Sequence, residues 1–389
     1  MIFQFGHRIF KPIAAQALAV PLWAFAALLL SGCRSSEIIP PVGPQGQGNT
    51  QADSTMILLY PSGSADASKF IGVVDDPSGG GSLLVEADVD GGRLVVLYRD
   101  SLEKRLASLS PEGKRVVYLA APAGRMWYSA HVWVVDADGS DPRDLTPGGG
   151  NWDLPCWSRD GRCVVFSGLI EDSGEIHHQI VLADAATGKT RLLTRGRSDS
   201  FGPFFLADNR RIAFRSDRIR TAYGGKVFLM DVEGGPAVPV DTSQVSSSDP
   251  LPSPVRPEVL FYWGLGMEDD RGDYMIDADS VSVPADPSQY RLIHRENIGS
   301  SARWSPDGSM LHFLFAIGSR GADLFVMSRN GGGLRRLTSG YDIDQRSHVW
   351  SRDSRRIFFI GREISTGICG NFIYDFTTTS VRKLKFAFK

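Results

Sequence analysis

An excess of charge of either sign is missing from this sequence. The 389 residues carry 42 Lys and Arg against 44 Asp and Glu, a formal net charge of -2. This balance leaves no electrostatic footprint for a nucleic-acid partner, and none is expected. Cysteine is scarce, with four in the chain, which excludes a small fold held together by disulfides. No Gly-x-Ser-x-Gly elbow occurs, so nucleophilic catalysis of that kind has no support. Histidine numbers seven, and its only cluster is the adjacent pair His177 and His178.

Gly and Pro are abundant. Forty-two Gly and 22 Pro are too many for a helical bundle and lack the period of collagen, so the chain must turn often. With 42% hydrophobic and 22% charged residues it is globular and not disordered. Many short strands are the expectation. Length alone suggests two or three domains, but the internal repeat described below replaces them with one.

The first 54 residues read as address and tether. Ile13 to Leu30 is almost wholly apolar and follows His7, Arg8 and Lys11, the layout of a secretory signal; its length also suits an uncleaved anchor helix. Leu30-Ser31-Gly32-Cys33 resembles the lipobox of bacterial lipoproteins. The resemblance implies that residues 1–32 are removed, that Cys33 is lipidated, and that Arg34 after it favours the outer membrane where there are two. Residues 34–54 are rich in Pro, Gly, Gln and Ser and cannot bury a core. A flexible chain of that length reaches roughly 25 Å, enough to hold a body clear of the headgroups.

From about residue 55 a turn flanked by two strands recurs. Anchors begin at Ser110, Ser158, Leu206, Ser253, Ser305 and Ser351, spaced 48, 48, 47, 52 and 46 residues apart, with an aromatic eight positions after each. The turn chemistry is explicit in Trp304-Ser305-Pro306-Asp307-Gly308. Pro fixes φ, Asp accepts from the backbone, and Gly supplies the left-handed conformation. Asn209 can replace that Gly, whereas Ser354 and Arg256 fit less well. A second strand pair follows each anchor, as in His131 to Asp136 with Arg143 to Thr146. Four short strands in about 48 residues is the size of a propeller blade.

These anchors, with the Val-Met-Asp-like third strand and the Arg-Leu-Thr fourth strand, resemble the WD40-like repeat of TolB-type β-propellers. Related repeats occur in prolyl oligopeptidases and oligogalacturonate lyases, so the resemblance implies an all-β propeller of four-stranded blades more firmly than a function. The domain is expected to span residues 55–389. Those 335 residues match seven blades of 48, the favoured count. Six blades with N-terminal extra strands is the alternative.

In such a propeller the loops joining strands two and three, and strand four to the next blade, share one face around the channel. By register this face gathers Trp127, Tyr128, Trp152, Asp153, His177, His178, Phe201, Arg218, Arg220, Tyr223, Trp263, Tyr341 and Arg346. Aromatics interleaved with Arg have the composition of interaction hot spots; the competing reading is that several merely pack between blades. His177 and His178, as strand neighbours, are expected to point to opposite faces and not to share a metal. Oligogalacturonate lyases hold a metal through converging His on this face, and only His131, His294, His312 and His348 remain here as helpers. The acidic loop Glu268 to Asp273 lacks EF-hand spacing, and solvation is its expected role. Cys156 and Cys163 flank one hairpin, one or two positions from cross-strand pairing, so a disulfide between them stays open.

No cofactor, metal or catalytic set is therefore expected. The leading expectation is a monomeric, lipid-anchored, non-catalytic propeller binding an envelope protein. The alternative is an enzyme or binding protein acting on extracellular polysaccharide or peptide.

Overall fold

The computed structural model describes residues 58–63, 67–125, 129–147, 151–172, 174–221, 224–240, 246–256, 258–265, 272–277, 291–294, 302–316 and 321–388. The expected signal, Cys33 and the expected tether lie outside them. So do Trp127, Tyr128, Tyr223 and most of the acidic loop. Among the described residues no helix is long and apolar enough to cross a membrane.

The strands form antiparallel meanders, one sheet after another along the chain. Sheet I comprises Leu59–Gly63, Lys69–Asp75, Ser82–Asp88 and Gly92–Arg99. Six four-stranded blades follow. Blade II is Glu103–Leu109, Arg115–Ala121, His131–Asp136 and Arg143–Asp144. Blade III is Trp152–Trp157, Cys163–Asp172, Glu175–Asp184 and Thr190–Leu192. Blade IV is Ser200–Phe205, Arg211–Thr221, Gly224–Asp231 and Val238–Pro239. Blade V is Ser246–Pro252, Glu258–Leu265, Gly272–Asp277 and Arg291–His294. Blade VI is Arg303–Trp304, Met310–Ala316, Ala322–Ser328 and Arg335–Arg336. Blade VII is Tyr341–Trp350, Arg356–Glu363, Cys369–Asp375 and Ser380–Leu384.

Seven equivalent four-stranded blades, the favoured expectation, do not form. The six anchors each open a four-stranded blade, but the N-terminal strands make a five-stranded sheet. Its fifth strand, Phe386–Phe388, comes from the other end of the chain and pairs in parallel with Gly92–Leu94. The reason is apolar: Phe386 is 3% exposed and packs with Leu94, Val89 and Leu384 in the core between sheet I and blade VII.

Burial explains why the middle strands read as unbroken apolar runs. Arg115–Ala121 and Arg356–Glu363 are buried at nearly every position, because each sheet is covered on both faces by its neighbours. Sheet I shares cores with blade VII and with blade II, and similar clusters join II to III, III to IV and VI to VII. Fourth strands are short and exposed, such as Thr190–Leu192 and Arg335–Arg336. Short edges of this kind resist pairing with other chains. First strands lie innermost, Leu59–Gly63 touching both Tyr341–Trp350 and Glu103–Leu109.

The anchor turns do what their residues suggest. Ser158, Ser305 and Ser351 each accept at Oγ from the N–H five residues on, at 2.9 Å. Each also donates to the Asp two positions along, at 2.7, 2.6 and 2.5 Å. Gly113, Gly161 and Gly308 take positive φ, and so do Asn209 at 59° and Ser354 at 58°. The two exceptions have a use. Asn209 Oδ1 accepts from Asp160 N of the preceding blade, and Ser354 Oγ from Asp307 N, both at 3.2 Å. At Gly161 a Cβ would instead fall 1.9 Å from the Glu112 carboxylate. Arg256, the poorest fit, is not left-handed.

Two further contacts recur around the ring. The anchor indoles of Trp157, Trp304 and Trp350 donate to carbonyls of the preceding blade, Ser108, Leu251 and Arg303, at 3.0 to 3.2 Å. The Thr ending the fourth-strand motif, Thr146, Thr194 or Thr338, accepts from the third strand at Val132, Ile180 or Leu324. Cys156 and Cys163 are both free thiols. Cys156 pairs with Val165 and Cys163 with Asp184, so the disulfide left open in the sequence is not formed.

Candidate functional site

The hairpins of blades III and IV overshoot the others. Cys163–Asp172 and Glu175–Asp184 run ten residues each and Arg211–Thr221 eleven, against seven for Arg115–Ala121. Their ends project on the face opposite the anchor turns and carry polar and aromatic side chains, several of them half-buried where blades III and IV meet.

Asp199, in the connection entering blade IV, organises this junction. Its carbonyl accepts from Ser216 Oγ at 2.7 Å and Asp217 N at 3.2 Å, and its carboxylate accepts from His178 N at 2.7 Å. Gln179, fully buried, donates to the carbonyls of Gly196 and Ser198 in the same connection. The carboxylate therefore sits beside the backbone of the Glu175–Asp184 strand, and His177 Nδ1 and His178 Nδ1 both approach Asp199 Oδ1, at 3.6 and 3.7 Å. The two histidines were expected to part to opposite faces. They converge because the acceptor lies at the strand's backbone, where side chains from either face reach it.

Around this hub, His177 Nε2 is 3.4 Å from Glu175 Oε2, which pairs with Arg197 at 2.9 Å. The His178 ring lies 4.5 Å from that of Phe201. Burial lowers the pKa of His178, outweighing the opposing pull of Asp199. Arg218 lays its guanidinium 5.7 Å from the Phe214 ring and 6.0 Å from that of Phe228. Burial lowers its pKa too, against the opposing charge of Asp217. Cation–π contact partly replaces lost water. Among the described residues Arg218 forms no ion pair. Asp217 Oδ1 and Gln179 Oε1 are buried acceptors without a partner. Arg220 is exposed.

Other expected site residues are packed away. Trp152 is 9% exposed, meets Phe166 edge-on at 5.3 Å and closes over Gly168, where a Cβ would lie 2.2 Å from its ring. Tyr341 is half-buried, edge-on to Phe359 and Phe372 at 5.6 and 5.1 Å. For these two the packing reading holds. The side chains of Asp153, Trp263 and Arg346 lie outside the described ones, although their backbones are in strands.

The remaining histidines do not assemble with the pair. His131 Nδ1 lies 2.8 Å from Asp144 Oδ2. His312 and His348 form a separate buried pair, Nε2 to Nδ1 at 2.7 Å, between blades VI and VII. His294 is in a blade V strand with its side chain undescribed. Among the described residues no group of three or more His, Cys, Asp or Glu can hold a metal. An open groove of about 640 Å³ lies away from the junction, between blades IV and V at the anchor-turn end. Its Arg210 and Arg211 are committed to Asp231 and Asp208, at 2.6 and 2.7 Å.

Asp199 and Asp217 were not singled out in the sequence. Asp217 precedes Arg218 and Asp199 lies two positions before Phe201, at the two ends of the first blade IV hairpin, so reading the hairpin ends as pairs would have found them.

No protein-family model matches this chain. An uncharacterized protein of Agrobacterium fabrum is 25% identical over 210 residues, which cover 51% of this chain and 66% of that protein, just under two thirds of its length. Solved structures share the fold. An oligogalacturonate lyase in complex with manganese superposes with a TM-score of 0.62 at 14% identity, covering 82% of this chain and 89% of the lyase. A prolyl endopeptidase gives 0.64 at 12% identity, over 85% of this chain and 49% of that one. TolB from Acinetobacter baumannii gives 0.48 at 16% identity, over 68% of this chain and 62% of TolB. The chain is thus a β-propeller, a fold it shares with the lyase and the endopeptidase.

Proposed function

We propose that this chain is a lipid-anchored propeller of the bacterial envelope that binds a protein partner and performs no chemistry itself. Residues 1–32 are the removed signal, Cys33 carries the lipid, 34–54 form the tether and 55–389 the propeller. The binding surface is the face that holds the blade III–IV junction, where His177, His178, Phe201, Arg218 and Arg220 lie together.

The observation that carries this reading is Arg218. A cation stacked on two aromatic rings, partly desolvated and without a carboxylate partner among the described residues, is a group a partner's acidic or carbonyl oxygen completes. Arg beside aromatics is the composition of interface hot spots. The free protein tolerates this lack because the Phe214 and Phe228 rings supply part of the missing attraction.

The test is recovery of partners from solubilised membranes by the wild type and by Arg218→Glu with Arg220→Glu. Loss of a partner by the double variant supports the reading, and equal recovery of every partner counts against it.

A second reading rests on the likeness to an oligogalacturonate lyase and a prolyl endopeptidase: an enzyme or carrier for extracellular polysaccharide or peptide using the same face. Stoichiometric metal in the purified protein, together with turnover of a glycan or peptide, would favour it.

A further inference from the structure

The anchor-turn end of the ring holds a feature that the junction does not explain. The residue after the anchor Ser is Pro in three copies, Pro111, Pro254 and Pro306; two copies carry Arg instead, Arg159 and Arg352. Arg352 reaches from blade VII past sheet I to blade II, where Nη2 donates to the Pro111 carbonyl at 3.1 Å and that of Ser110 at 3.4 Å. Gly63 of sheet I lies against the backbone that starts this turn, where a Cβ would fall 3.2 Å from the Trp350 carbonyl and 3.6 Å from Arg352 N.

The turn that carries Arg159 reaches the same place from blade III: Glu112, next to the Pro111 that Arg352 bonds, lays its carboxylate against Gly161 of that turn, and the Arg159 charge acts on Arg352. The Arg352 guanidinium is shifted down first by burial and then by Arg159, with Glu112 opposing. Neither arginine forms an ion pair among the described residues. Arg159 is exposed and has no hydrogen bond there, while Arg352 spends its bonds on two carbonyls. Glu112, also exposed, lies against the Gly161 turn and is the one carboxylate acting on Arg352. Asp160 and Asp353, beside them in the same turns, pair instead with Arg162 and Arg356, so two guanidiniums from sheets far apart in sequence stand against the Glu112 carboxylate.

We propose that Arg159 and Arg352 form a binding site for a small dianion, a phosphate or a dicarboxylate, at the anchor-turn end of the ring. Planar forks approached from two blades match the oxygens of such a group. Arg352 is held in place by its carbonyl contacts, and Arg159 is the uncommitted arm that closes on the ligand. The site lies on the face opposite the junction, so it stands or falls independently of the proposed function.

The probes are inorganic phosphate and succinate, each compared with chloride at equal ionic strength, with the melting temperature of the full chain as readout. Binding to the folded state alone raises that temperature saturably. A saturable rise with either dianion is expected, and which of the two acts at lower concentration distinguishes phosphate from dicarboxylate chemistry. Arg159→Gln should weaken the apparent affinity about tenfold, the scale of one charge-assisted hydrogen bond, while melting as the wild type does in chloride. Arg159→Lys should retain part of the response. Absence of a saturable rise with both dianions, or an undiminished response in Arg159→Gln, would overturn the proposal.

Discussion

The two ends of the ring are built on different rules. At the anchor-turn end the same few contacts recur: Ser to backbone, Ser to Asp, indole to the preceding blade's carbonyl. At the opposite end the contacts that close the fourth strand on the third repeat, through the Thr hydroxyl and the backbone N–H before it, while other groups among the described residues are used once, as in the Asp199 hub or Arg218 on its two phenylalanines. The Ser contacts close the turn of each blade, and the indole contacts join one blade to the last.

The contrast can be broken most directly with an anchor tryptophan. Trp350 is 4% exposed, donates to Arg303 O and stacks on Phe376 at 5.4 Å. Trp350→Ala is expected to cost about 3–5 kcal/mol in urea unfolding, whereas Arg220→Ala at the other end should stay within about 0.5 kcal/mol. Similar costs for both would erase the distinction.

Acid probes the blade VI–VII interface. Burial holds His348 at about 3, with Arg303 adding to the effect and the Gln345 carbonyl opposing it; His312 is driven well down by burial, His348 and Arg303. The unfolded chain then binds protons that the folded one refuses, so stability is full above about pH 6.5 and falls as pH drops toward the folded values. For His348 the loss is about 2 kcal/mol at pH 5, and His312 adds to it in the same direction. Carboxylates with lowered pKa, such as Asp307 and Asp353, contribute a loss that begins only near their unfolded value of 3.8. Stability measured between pH 7 and 5 should therefore slope in the wild type and flatten in a variant lacking both histidines. A flat wild-type profile would contradict the buried pair.

Smaller effects sharpen the comparison. Thr338 is buried, accepts from Leu324 N and donates to Asp323 Oδ1. Thr338→Val leaves both without that partner and is expected to cost about 1–2 kcal/mol, measurable by denaturant midpoint. At the anchor-turn end, Ser354→Gly relieves a left-handed serine but removes the acceptor for Asp307 N. The two should nearly cancel, within about 0.5 kcal/mol. A loss well beyond that would show that the inter-blade bond outweighs the backbone preference.

Much of the fold is legible because turns are local. The spacing of Ser158, Ser305 and Ser351, and the Asp two positions on, specify hydrogen bonds within five residues, and these form as read. Sheet I was harder. Whether Leu59–Arg99 stands as a blade depends on Phe386, far away in sequence, and pairing at that distance leaves no periodic trace. The candidate site was legible in part. Register placed His178, Phe201 and Arg218 at one end, but could not tell Trp152, which packs on Phe166, from a presented aromatic. Periodicity reports which end of a strand a residue occupies, and not whether a neighbour such as Gly168 leaves room to fold the ring inward. Strand alternation says nothing of an acceptor lying at the strand's own backbone, so the approach of both His177 and His178 to Asp199 left no trace in the sequence.

The fifth strand of sheet I also fixes an order of assembly. Gly92–Arg99 is synthesised early, yet its outer partner Phe386–Phe388 follows all six blades. Until then the first sheet offers a bare strand edge and the apolar patch that Phe386 will cover, the combination that invites pairing with another chain. A slow, long-range closing step is expected from such a connection, and a chain ending before Phe386 would keep that edge open.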